Sequence, residues 1–453
     1  MPKTTQTFSS TTFTTYQDES VGHVVYHSRL PNGLHVVSVP LPDRLSVMAV
    51  LSLRVGSRYE DDRQAGVAHL IEHLLFKGTH TRPTSRDVVL PIEGVGGVLN
   101  ANTSREMTNY WGQVPFQHVE RLLDVLFDMV MNPLVREEDV EHEKAIIIEE
   151  INASLDMPDE VAGLAAMALL HPGHPLGRDI AGTRETVRAL TREDVLAFMQ
   201  TFYGPQNGVL AVAGRVEHED VVAWAQALSA EWQGGAGKQP FPAQPLPAGL
   251  HVQCIHRDIE QVQLVMGVRT VPERHPDQYP LLLLNALLGD GMASRLFLQV
   301  REQLGLAYHI GSYLSFGSDF GEMTIEAGVD PANVMPALEA IAREVRNIAA
   351  EGPTPEEVIF AREYVTGRLL LGLESGMRAA GWYATQLLQG VSPLLSPSDV
   401  LAALAAVQAE DIQRVVQTYL TPSNMVLVLV GPVGDAPQLS PPLLEERLMT
   451  WLA

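Results

Sequence analysis

Alternation and helical periodicity divide the chain into short strands and amphipathic helices. VVYHSRL and LHVVSVPL flank Pro31-Asn32-Gly33, where Asn-Gly signals a hairpin, and LSVMAVLSLRVGSR extends the strand run from residue 24 into the fifties. GVAHLIEHLLFKGT, residues 66–79, is rich in Leu, Ile and Ala and lacks proline, which predicts a buried helix ending near Gly78. A second helix is predicted over residues 84–93, closed by Gly94, Gly96 and Gly97. VLNANTS and MTNYWGQVP read as paired strands, QHVERLLDVLFDMVM as an amphipathic helix stopped by Pro133, and REEDVEHEKAIIIEEINASLDMPDE as a helix rich in carboxylates. HPGHPLGRDIAGT is a loop; the helix TREDVLAFMQTFY, the strand NGVLAVAGRV and the helix VVAWAQALSAEW follow it. Residues 1–23, heavy in Ser and Thr, read as an N-terminal extension, either a flexible tail or an edge segment. Residues 234–248, first Gly-rich and then Pro-rich, form the clearest linker.

The second half repeats the first. TREDVLAFMQTFYGPQNGVLAVAGRV from Thr191 matches QAEDIQRVVQTYLTPSNMVLVLVGPV from Gln408 at a constant offset of 217. SVMAVLSLRV likewise pairs with QVQLVMGVRT, with Arg54 opposite Arg269. The expected organisation is a duplicated α+β domain, residues 24–233 and 249–453, each copy mixing antiparallel strands with helices.

Composition narrows the partners. The chain has 453 residues and a formal net charge of −23, which argues against sequence-independent binding to nucleic acid. One cysteine rules out an intrachain disulfide and a Cys-rich zinc site. No apolar run approaches bilayer-spanning length and the start lacks the apolar core of a secretory signal, so the expectation is a cytoplasmic protein with no membrane partner.

The candidate chemistry sits in His69-Leu70-Ile71-Glu72-His73. On a helix, positions i, i+3 and i+4 fall within an arc of about 100°, so His69, Glu72 and His73 point the same way. Two imidazoles one turn apart can bind one zinc ion, and the carboxylate between them can take a proton from a water activated by that ion. The order H-x-x-E-H is the inverzincin motif. A third protein donor is wanted, and the acidic helix offers Glu143 and Glu150, two turns apart on one face. Either can be the ligand on this ground alone. In the second copy the motif position holds Leu284-Asn285-Ala286-Leu287-Leu288, and the position of Glu150 falls at Val365, Thr366 or Gly367. All the donors are absent there together, which points to one metal site, in the first copy.

With these residues in view, the chain resembles the pitrilysin family of inverzincin metallopeptidases, which includes insulysin, the mitochondrial processing peptidase and bacterial peptidases of this length. The resemblance covers nearly everything after residue 24 and implies two homologous domains of the mitochondrial-processing-peptidase-like metallohydrolase fold. In that family a Glu completes the zinc site after a gap of 76 residues, and that position counted from His73 is Glu150. The resemblance thus implies one zinc per chain on His69, His73 and Glu150, with Glu72 as general base and Glu143 supporting the ligands. It also implies that the strand Asn100, Ala101, Asn102 and Thr103 pairs with the substrate backbone. In relatives an aromatic side chain often stands where this chain has Asn102. HPLG, with His174, resembles a family loop, and a loop-structuring role is expected for that histidine. GDGMASRLFLQVREQLGLAYHIGSYLSF resembles the segment whose paired Arg and Tyr, here Arg301 and Tyr308, contact substrate carbonyls and stabilise the oxyanion; Arg295 is a lesser candidate. Single-chain relatives carry four repeats closing around a chamber, so a two-repeat chain is expected to form a homodimer, with Arg301 and Tyr308 acting on the other subunit's zinc. The implied function is a zinc endopeptidase for peptides or unfolded segments. The competing expectations are a non-catalytic assembly or peptide-binding subunit of the same fold, and a zinc hydrolase with non-peptide substrates.

Overall fold

The computed structural model describes residues 3–8, 11–18, 22–391, 394–434 and 436–452. In chain order the strands are β1 (Lys3–Phe8), β2 (Thr11–Asp18), β3 (His23–Arg29), β4 (His35–Pro40), β5 (Ser46–Leu53), β6 (Val98–Thr103), β7 (Thr108–Pro115), β8 (Gly208–Gly214), β9 (His251–His256), β10 (Val262–Arg269), β11 (Ala307–Phe316), β12 (Gly321–Val329) and β13 (Met425–Gly431). The helices are α1 (Val67–Leu74), α2 (Ser85–Glu93), α3 (Val119–Met131), α4 (Glu137–Asp156), α5 (Pro158–Leu170), α6 (Arg184–Ala189), α7 (Arg192–Phe202), α8 (His218–Leu228), α9 (Gln278–Leu288), α10 (Val334–Glu351), α11 (Pro355–Leu373), α12 (Gly376–Leu388), α13 (Pro397–Ala406), α14 (Ala409–Tyr419) and α15 (Pro441–Leu452). Among the described residues no helix is long and apolar enough to cross a membrane.

The strands form two sheets, and the duplication is visible in their order. The larger sheet runs β1-β2-β3-β4-β8-β5-β7-β6 and the smaller β11-β12-β10-β13-β9. Read from their β6 and β11 edges, β6-β7-β5-β8-β4 and β11-β12-β10-β13-β9 are the same pattern. Each has one parallel pair, β4 with β8 and β9 with β13, among antiparallel neighbours. The hairpin between β3 and β4 turns at Asn32-Gly33, where Gly33 takes φ 97° and the side chain of Asn32 accepts from the amide of Leu34. The Thr-rich start forms β1 and β2, which extend the larger sheet beyond β3 as an edge segment, matching the preference of β-branched Thr for strands. Residues 1, 2, 9, 10 and 19–21 of that extension lie outside the described residues.

The linker at residues 234–248 divides the sequence, but the compact units are not simply the parts before and after it. One unit gathers Met1–Ile151, Asp179–Phe241 and Leu369–Val400; the other gathers Asn152–Arg178, Pro242–Arg368 and Leu401–Ala453. Each unit therefore takes a helix from the other repeat. In the first unit Ala379, Ala380, Tyr383 and Ala384 of α12 pack on Val37, Val50, Val209 and Ala211 of the larger sheet. In the second, Ala162, Ala166 and Leu170 of α5 pack on Val265, Val426 and Val428. Both helices bring small residues to the sheet, so the backbones approach closely. Gly267 belongs to the same fit, since a Cβ there would stand 3.0 Å from Leu170 Cδ1. Hydrophobic periodicity marks such a face as buried but does not say which sheet buries it.

Candidate metal centre

Helix α1 carries the motif. Its buried face is Val67, Ala68, Leu70, Ile71 and Leu74. His69, Glu72 and His73 occupy the opposite face and are half-buried. The helix stops at Leu74, earlier than the expected neighbourhood of Gly78, and the chain turns through Phe76 and Lys77. Gly78 adopts φ 142° with the Pro83 carbonyl 2.6 Å from where a Cβ would stand, which is why the turn has glycine there. The start of α1 has no Ser, Thr or Asp cap. Instead the carboxylate of Glu60, 1% exposed, accepts from the amides of Gly66 at 2.9 Å and Ala68 at 2.8 Å. Sequence reading missed Glu60; the signal available was a helix start with no capping side chain of its own and an acid shortly before it.

Helix α4 faces α1 with Glu143 and Glu150. His69, His73 and Glu150 each offer one donor atom, and the three atoms lie within 4.8 Å of one another. His73 Nε2 is 3.7 Å from Glu150 Oε2. Donors bound at about 2.0–2.1 Å in tetrahedral geometry stand roughly 3.3–3.5 Å apart, so small shifts would seat one ion. The two imidazole rings lie edge to face, centroids 4.7 Å apart. His69 has its pKa lowered to about 4, first by burial and then by His73, which keeps it in the neutral form that a metal needs. Its Nδ1 is buried with no hydrogen-bond partner. Two imidazoles and a carboxylate within reach of one another are donor types that fit a zinc ion.

The neighbours order this set. His73 Nδ1 donates to Glu143 Oε2 at 3.0 Å, which leaves Nε2 with the free lone pair. Glu143 also pairs with Lys77. Glu72 accepts a 2.5 Å hydrogen bond from Thr103 Oγ1. Burial raises the pKa of Glu72, opposed by the Thr103 hydrogen bond and by His73. Behind it lie Tyr110 and Tyr203, both buried, their hydroxyls 3.0 Å apart, and the charge of Glu72 adds to the burial that raises both phenols.

Asn100, Ala101, Asn102 and Thr103 lie on β6, the terminal strand of the larger sheet. Pairing with β7 sets Asn100 opposite Trp111 and Asn102 opposite Asn109. The hydroxyl of Thr103 is engaged with Glu72, a link from edge strand to motif that sequence reading did not find. Glu106, just beyond the strand, pairs with the fully buried Arg58 at 2.5 Å.

Arg301 and Tyr308 belong to the second unit and lie together. Arg301 sits in a π-helical segment, Phe297–Gln303, with its guanidinium carbon 4.7 Å from the centre of the Phe297 ring and 5.9 Å from that of Tyr308. Tyr308 is 75% exposed at a bulge that opens β11, the edge strand of the smaller sheet; bulges of this kind re-aim a side chain. Arg295 is held otherwise, by two 2.7 Å hydrogen bonds to the carboxylate of Glu357. His174, also in this unit, accepts from the amide of Leu176 at 3.1 Å and so shapes its own loop.

Known proteins place these features. Residues 35–184 match the family model described as insulinase (peptidase family M16), and residues 189–364 match that of the peptidase M16 inactive domain. An uncharacterized zinc protease of Streptomyces coelicolor is 35% identical over 91% of this chain and 90% of its own length. Another, from Mycobacterium leprae, is 36% identical over 77% of this chain and 79% of its own. The crystal structure of a protease from Helicobacter pylori shares the fold, with a TM-score of 0.85 at 23% identity over 90% of this chain and 99% of that one.

Proposed function

Because the chain belongs to the M16 (insulinase) peptidase family, we propose that it is a zinc-dependent endopeptidase acting on peptides or unfolded polypeptide segments. The observation that carries the reading is the convergence of His69, His73 and Glu150 within 4.8 Å, with Glu72 on the same helix face. Zinc held there, one per chain, would supply a Lewis acid for the scissile carbonyl and a water acidified to near-neutral pKa. Glu72 would take a proton from the attacking water and return it to the leaving amine; its burial raises its affinity for that proton, and Thr103 fixes the carboxylate. Glu143 holds His73 in the tautomer that presents Nε2. The β6 edge through Asn100, Ala101 and Asn102 aligns the substrate backbone by strand addition. Arg301 and Tyr308 donate to substrate carbonyls and to the oxyanion.

Metal analysis with digestion of a mixed peptide library tests this reading: zinc near one equivalent and chelator-sensitive cleavage are expected. Zinc without cleavage would point instead to a peptide-binding subunit. The assembly is proposed to be a homodimer in which Arg301 and Tyr308 serve the other subunit's zinc. Mixing Glu72→Gln chains with Tyr308→Phe chains should then restore part of the activity each lacks; no recovery in verified mixed dimers would reject action in trans.

A further inference from the structure

The ion pair between Lys77 and Glu143 has no part in the chemistry above, yet it stands one step from a metal donor. Glu143 is 2% exposed, and a carboxylate so buried is tolerated only when its oxygens are paired. Its Oε2 takes the hydrogen bond from His73 Nδ1; its Oε1 has no hydrogen bond and is met by the charge of the Lys77 ammonium. Lys77 comes from the turn that closes α1, where the amides of Phe76 and Lys77 bond back to His73 and Leu74. That turn leaves the lysine four residues beyond His73, with a side chain 25% exposed. Glu143 and Glu150 both approach His73, and the Lys77 ammonium lies against the buried one of the two. In the second copy the equivalent of His73 is Leu288, and at the same offset of 215 Lys77 becomes Met292, 73% exposed. The lysine disappears with the imidazole that it serves.

We propose that Lys77 is a positioning residue for the metal: it holds the Glu143 carboxylate in place, and Glu143 in turn fixes the ring and tautomer of His73. The inference rests on the zinc-peptidase reading. Its test is zinc affinity, measured on the metal-stripped full chain by competition with a chromophoric chelator, zinc alone being the probe. Lys77→Met is expected to weaken binding about tenfold, the lower end of the roughly 10–100-fold carried by outer partners of metal ligands. Lys77→Arg, which keeps the charge, should restore most of it. In a Glu143→Gln background Lys77→Met should change nothing. That double variant leaves no unpaired buried carboxylate, so it keeps the test decisive even where Lys77→Met alone loses its fold. Wild-type affinity in folded Lys77→Met, or a tenfold loss that persists beside Glu143→Gln, would overturn the role of Lys77 alone. A wild-type chain that takes up no zinc would overturn the zinc reading and this inference with it.

Discussion

The two copies of the repeat share a strand order, yet one presents His69, Glu72 and His73 on a half-buried helix face while the other has Leu284, Leu287 and Leu288, all buried. The donor-bearing helix needs outside support: Glu60 at its start, Glu143 and Thr103 on its polar side. The leucine-bearing helix α9 buries most of its length without these. The fold is thus sustained by apolar packing in the second copy, and the polar cluster of the first is an addition that folding does not require. Groups that desolvate imidazoles and carboxylates without contributing to a core are the ones to assign to chemistry.

Making the first copy resemble its twin is the strongest way to break this comparison. His69→Leu with His73→Leu introduces the residues of positions 284 and 288. Zinc uptake should vanish while the metal-free chain still folds and melts only slightly below the metal-free parent, by the pairing that Glu143 loses with His73, as read by metal analysis and calorimetry. A large drop in melting temperature would mean that the histidines hold the fold. The exchanged helices offer the next effect. Tyr383 of α12 is fully buried in the first unit, so Tyr383→Ala should destabilise that unit by about 3–5 kcal/mol and lower its zinc retention, although the residue lies in the second repeat. Denaturant unfolding followed at both units would show whether the loss falls on the one that holds α1.

A third effect is set by pH. His218, 2% exposed, has its ring nitrogens against the hydroxyls of Ser28 and Ser38, and burial lowers its pKa to about 4. Between about pH 6.5 and 4 the unfolded chain takes up a proton there that the folded chain does not, so stability falls as pH falls, by about 3 kcal/mol across the window. His218→Gln should flatten that slope, measured by urea unfolding at several pH values; an unchanged slope would remove His218 as its source. The smallest effect is expected at the support of α1. Glu60→Gln weakens the two hydrogen bonds that the amides of Gly66 and Ala68 donate at the helix start and should cost about 1–2 kcal/mol, with a slight loss of zinc affinity.

Much of this was legible because it is local or repeated. The Asn32-Gly33 hairpin follows from two residues, and the duplication from an offset that keeps Asn207 and Asn424 in step; each of their side chains donates to the backbone carbonyl of the paired arginine position, Arg54 or Arg269. Helical periodicity aligned His69, Glu72 and His73 and put Glu143 with Glu150, but could not choose between the two acids; the family spacing did. What remained hidden depends on which surfaces meet. Small apolar residues on α5 and α12 signal burial without naming the sheet that buries them. Glu60, Thr103 and Lys77 act through tertiary contacts with no periodic signature.

The most direct measurement is zinc content beside peptide hydrolysis in Glu72→Gln. The variant keeps His69, His73 and Glu150, so it should hold zinc as the parent does, and a lost general base should lower turnover by about 10²–10⁴-fold. Turnover retained at the parental level would contradict the assignment of Glu72, and with it the claim that this helix face is a catalytic site.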